Sequence, residues 1–94
     1  MTDHPKDGEV TLRLTENVAV VLFDLLSRWS DPAGLTATPS GACFESAAEC
    51  AALHDVLTDL EAQLVAPFEA DYREKVSRAR QQLAGRWNGS DLRA

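Results

Sequence analysis

One stretch limits what this chain can fold into more than any other: "ENVAVVLFDLLSRW", residues 16–29. Wound as a helix, it is apolar on nearly every side through Val18, Val21, Leu22, Phe23, Leu25, Leu26 and Trp29. Only a narrow stripe through Asn17, Asp24 and Arg28 is polar. A helix of that kind has to be mostly buried, so it forms the core of the fold. Thr15 is a good N-cap, and Glu16 sits favourably in the positive first turn. The helix stops at "SDPAG", where Pro32 disfavours helical backbone at Asp31 and Gly34 adds freedom.

The spacing predicts two further helices. "SAAE", residues 46–49, reads as a capping box, with Ser46 and Glu49 satisfying each other's backbone donors. Cys50, Leu53, Leu57, Leu60 and Leu64 then follow at heptad spacing and mark an inward face. Pro67 breaks that helix and opens a third over 68–84, which should bury Phe68, Tyr72, Val76, Ala79 and Leu83. Its carboxylates precede bases by four residues, as in Asp71 and Lys75. Gly85 is placed to end it. Ahead of all three, "EVTLRL" alternates Val10, Leu12 and Leu14 with polar residues, the period of a half-buried strand. A lone strand leaves its backbone unpaired, and the short stretch at 42–44 is the partner at hand.

The expected fold is thus mainly α. It is a three-helix antiparallel bundle with a short N-terminal strand at 9–14, for which a second near residues 42–44 is one available partner and another chain is the other. The 94 residues make one domain, 1–94, able to bury about 60–65% of its unfolded surface without metal or disulfide. Residues 1–8 and 86–94 are expected to be flexible. The loop at 31–45, rich in Pro, Gly, Ser and Thr, is long enough to be mobile or functional.

Charge narrows the function classes. The chain carries a net −6, unevenly spread. Residues 1–70 hold twelve acidic and three basic side chains, a net of −9, whereas residues 71–94 hold three and six, a net of +3. Most of the molecule should repel phosphate and attract a cationic partner. Nucleic acid is not expected as a ligand, because Glu69, Asp71 and Glu74 interleave the bases of the third helix. A membrane is not expected either, since the longest apolar run, 18–23, is far short of the roughly 20 residues of a span. With no secretion signal in "MTDHPKDGEV", a cytoplasmic protein with reduced thiols is the expectation.

Three residue groups bear on chemistry. Cys43, Cys50 and His54 have the spacing C-x6-C-x3-H, without the close pairing or fourth ligand of a zinc site, so no metal or cofactor is expected. Two buried thiols and a flanking histidine explain them. His4 and His54 are a poor pool of bases for nucleophilic catalysis, and no phosphate-cradling glycine loop is present; the chain does not read as an enzyme. What stands out is acid. Glu45, Glu49, Asp55, Asp59 and Glu61 gather along the second helix and its entry. Asp55 and Asp59, four apart, should repel each other by about 0.2–0.5 kcal/mol on a helical face turned to water. Recognition of a basic protein gives these carboxylates a use, because complementary charge speeds association and selects partners.

"LTENVAVVLFDLLSRW" at 14–29 and "ECAALHDVLTDLEAQLVAPFEADYREKVSRARQQL" at 49–83, about half the chain, resemble small acidic bacterial immunity proteins. Such proteins neutralise the nuclease toxins of contact-dependent and other polymorphic systems. The resemblance implies inhibition without chemistry: an acidic surface that occupies a toxin's cationic cleft or covers a site beside it. The alternative from a different class is a self-associating structural or scaffold module, a homodimer that buries the apolar first helix and the unpartnered "EVTLRL".

Overall fold

The structure, a computed structural model, describes residues 8–34 and 37–93. Except for Gly8, the polar lead expected at 1–8 lies outside them, as do His4 and residues 35–36 of the central loop. Three helices make the fold: α1, Glu16–Trp29; α2, Ala47–Gln63; and α3, Tyr72–Ala84. Short 3-10 turns occupy Gly41–Cys43 and Ala66–Phe68, and there is no strand among the described residues.

α1 forms where its sequence says it should. The Thr15 hydroxyl accepts from the Val18 N–H at 3.3 Å, and the Ser30 N–H closes the last turn on the Leu26 carbonyl. Beyond it the chain reverses: Asp31 accepts from the Ala33 N–H through its side chain and from the Gly34 N–H through its carbonyl. Gly34 has a φ of 67°, a left-handed conformation that favours glycine.

The helix is apolar all round because it is packed twice. Ala19 and Leu26 meet Leu60 of α2, bordered by Leu53, Val56, Leu57 and Leu64. Val20 meets Val76 of α3, bordered by Leu64 and Tyr72. Both neighbours run antiparallel to α1. Leu64 lies by Val20 while Leu57 lies by Ser30, and Tyr72 stacks edge-on against Phe23 while Gln82 accepts from the Asn17 amide. α2 and α3 have almost no contact with each other. α1 is therefore the shared spine of a mainly helical, bundle-like arrangement of three helices.

A polar seam reinforces the α1–α3 contact. Asp24 accepts from Arg28 one turn on, at 2.9 Å, and from Arg80 of α3. Lys75 in the first turns of α3 donates to Glu69 ahead of the helix at 2.6 Å and lies 4.0 Å from Asp71. The hydrogen bond to Glu69 raises the Lys75 pKa above the ordinary lysine value. Tyr72 sits over the same seam. Burial pushes its phenol above the ordinary 10.0, the Asp24 carboxylate pushes it further, and Arg80 opposes both. The unfolded chain ionises first, so the stability tied to this group is intact below pH 10.0 and is lost as pH rises through the folded pKa. Tyr72 is the single tyrosine, so tyrosinate absorbance reads it directly. Asp24→Asn is expected to bring its midpoint down, and an unmoved midpoint would remove Asp24 from that environment.

Several sequence expectations are corrected. Residues 9–14 pair with nothing among the described residues: Val10 and Leu12 are 88% and 72% exposed. Their expected partner is engaged elsewhere, because the N–H groups of Cys43 and Phe44 bond back to Ser40 and Gly41 in a 3-10 turn. α3 begins at Tyr72 rather than Phe68. Pro67 lies within a separate 3-10 turn, Ala66–Phe68, in which the Phe68 N–H bonds to Val65, and the chain turns again before α3. Phe68, expected inside, is consequently 80% exposed. Cys50 is also exposed, because α2 packs on α1 only from Leu53 onward and its first turns overhang. Gly85 ends α3 in right-handed backbone, φ −63°, without a left-handed cap. The Trp87 indole N–H turns to the carbonyl of Asp91 in the C-terminal tail.

The result is an open molecule. α2 and α3 each pack on α1, and Val10, Leu12, Val65 and Phe68 stay exposed.

Candidate functional site

α2 is built for solvent on most of its circumference. Its start is fixed by side chains: the Ser46 hydroxyl accepts from the Ala48 N–H at 3.1 Å, and Glu49 Oε1 accepts from the Glu45 N–H at 3.0 Å. This is a capping box displaced by one residue, since the glutamate reaches past Ser46 to the residue before it. Glu49, expected as a partner contact, is thus committed to holding the helix entry.

The remaining carboxylates separate. At about 100° per residue, Asp55 and Asp59 lie about 40° apart on the side away from α1, while Glu61 lies about 160° from Asp59, on the opposite flank. Glu61 instead stands between two shallow depressions. One, of about 430 Å³, includes Arg28, Asp31 and Leu57; the other, of about 540 Å³, includes Phe23, Ala62, Pro67 and Phe68. The five acidic residues singled out from the sequence are all exposed, but they do not form one stripe. Asp55 and Asp59 are the paired outward charges. Glu61 belongs to the α1 side, and Glu45 stands at the entry, bound through its backbone.

What α2 lacks is a cation. Between Ala47 and Gln63 there are four carboxylates and no lysine or arginine. Three acids elsewhere are answered from within: Asp24 by Arg28 and Arg80, Glu69 and Asp71 by Lys75. Among the described residues no ion pair reaches Glu45, Glu49, Asp55, Asp59 or Glu61. Moreover, the last turn of α2 has no basic residue. Asp59 and Glu61 therefore stand toward the negative end of the helix dipole, where carboxylates are unfavourable by about 0.3–1 kcal/mol.

This arrangement predicts that the site is held against the helix's own stability. Asp59→Lys turns a repelling pair into an acid–base pair in the better orientation and places a cation near the C-terminus. It should raise the unfolding free energy by about 0.5–1 kcal/mol. A urea titration checks this, and a loss of stability would show that Asp59 has an attractive partner within the fold.

Cys43, Cys50 and His54 are each exposed and do not converge. Among the described residues no three His, Cys, Asp or Glu side chains stand together closely enough to hold a metal ion. Two features of the surface escape a reading of the sequence. Asp24 falls in a polar stripe, but nothing in its spacing points to Arg80. Phe68, with Val65 and Pro67, forms an exposed apolar patch, whereas a helical period assigns it inward. The one signal is Pro67, which can open a separate turn as readily as a helix. No family model, no curated protein and no solved structure matches this chain.

Proposed function

We propose that this chain is a non-catalytic binding protein that docks a cationic protein through the outward carboxylates of α2. The partner class that fits is a basic toxin domain, a nuclease above all, which the chain would hold inactive as an immunity protein does. One observation carries the reading: among the described residues α2 keeps four carboxylates without any ion pair, and the helix itself carries no lysine or arginine. Uncompensated charge on a helix persists at a cost in stability, and a cationic partner is what relieves it. Asp55 and Asp59 steer the encounter, and their carboxylates mimic the phosphates that a nuclease cleft is built to hold.

The test pairs the purified chain with a basic nuclease toxin domain, drawn from the neighbouring reading frame where that frame encodes one. A one-to-one complex that suppresses nuclease activity and weakens as salt is raised supports the reading. Undiminished nuclease activity with the chain in excess contradicts the immunity role. Binding that is indifferent to salt contradicts docking by charge.

A further inference from the structure

We propose, on the reading that α2 docks a cationic protein, that the apolar depression beside α2 seats one apolar side chain of that protein. The seated side chain lies between lysines or arginines of the same segment. The depression, of about 540 Å³, is lined by Phe23 of α1, by Thr58, Glu61 and Ala62 of α2, and by Pro67 and Phe68 of the turn that follows. Phe68 is 80% exposed and Val65 beside it is 71% exposed, so the apolar floor continues onto open surface. An exposed apolar patch with a charged rim ordinarily marks an interaction surface.

Charge identifies the occupant. Glu61 is the one charged group in the lining, and no ion pair reaches it among the described residues. The Thr58 hydroxyl spends its donor on the His54 carbonyl at 3.0 Å, so it offers Glu61 nothing. Anything that covers this floor takes water from Glu61, and a carboxylate left unpaired out of water is costly. A lysine or arginine next to the apolar side chain removes that cost. Helical rotation supplies the second cation site. At about 100° per residue, Asp55 and Glu61 stand about 120° apart, and Thr58 and Ala62 fall in the arc between them. Asp55 and Thr58, like Asp59 and Ala62, are neighbours on the helix surface. The α2 side of the floor is therefore bounded by Glu61 on one flank and by Asp55 and Asp59 on the other. That pattern matches a cation, an apolar side chain and a further cation in one segment. A second copy of this chain is a poor occupant, because at net −6 it opposes the carboxylates on both flanks. The chain's own leading segment is not seated there either, since Val10 and Leu12 are exposed.

Two capped pentapeptides test this on the full chain, Lys-Lys-Phe-Lys-Lys and Lys-Lys-Ser-Lys-Lys, with affinities read from amide shifts in NMR titrations. The phenylalanine peptide should bind about tenfold more tightly, and its additional shifts should fall at Phe23, Thr58 and Phe68. Phe68→Ser, at an exposed position, should keep native helicity by circular dichroism and remove that advantage, with the serine peptide's affinity unchanged. Glu61→Gln should weaken the phenylalanine peptide by about two- to fivefold. If both peptides bind wild-type chain equally, the seat is overturned while docking by Asp55 and Asp59 stands. If neither binds, that docking is overturned and the seat falls with it. An advantage that survives Phe68→Ser puts the aromatic ring elsewhere and likewise overturns the seat.

Discussion

Asp55→Lys combined with Asp59→Lys should slow association with a basic partner by about 10–100-fold and abolish its dependence on salt. The two carboxylates lie on one outward face of α2, without an ion pair among the described residues, so reversing them changes the local field by four charges. The effect should fall on the association rate. Both side chains point to solvent, away from the core, and rim charge acts chiefly during encounter. Stopped-flow mixing at several ionic strengths separates this from a merely soluble surface, for which neither rate nor salt slope would move. The double variant retains like charges four apart, so it keeps the repulsion that single Asp59→Lys relieves. Comparing the two variants isolates steering from helix stability.

Leu26→Ala should be the most damaging single change to the fold. Leu26 is 2% exposed and lies where α1 meets Leu60 of α2. Removing a buried leucine side chain costs about 2–5 kcal/mol. A chain of this length has roughly 5–14 kcal/mol in all, and one with six buried apolar residues among those described belongs at the low end. The melting temperature should therefore fall by about 15 °C or more, whereas Leu92→Ala, at an exposed position, should leave it within a degree or two. Calorimetry checks both. A fall of only a few degrees for Leu26→Ala would mean that α1 is not the spine of the molecule.

The difference between what is legible in the sequence and what is not comes down to range. α1 can be read from Thr15 to the Asp31 turn because its cap, apolar girth and stop signal are all local. The start of α2 at Ser46 is legible for the same reason. The alternation at 9–14 is also real, but a strand needs a partner, and the residues at 42–44 spend their N–H groups locally in a 3-10 turn. Phe68 is misassigned by period because one proline can start a helix or a separate turn, and the residues after it make the choice.

The candidate site divides along the same line. Exposure of Asp55 and Asp59 follows from helical period. Their lack of a counter-ion cannot be read, because that depends on where Arg28, Lys75 and Arg80 reach in space. Glu61 and Glu49 group with them by proximity in sequence, whereas helical rotation sends Glu61 to the other flank and capping occupies Glu49.

The most direct measurement is a titration of the isotope-labelled chain with a short lysine oligomer, followed by amide shifts in heteronuclear NMR. The carboxylate face of α2 should respond first, with the largest changes around Asp55 and Asp59 and a return to the free positions when salt is raised. Shifts that begin in α3, or that spread evenly over the acidic residues including Asp24 and Glu69, would contradict a docking surface on α2.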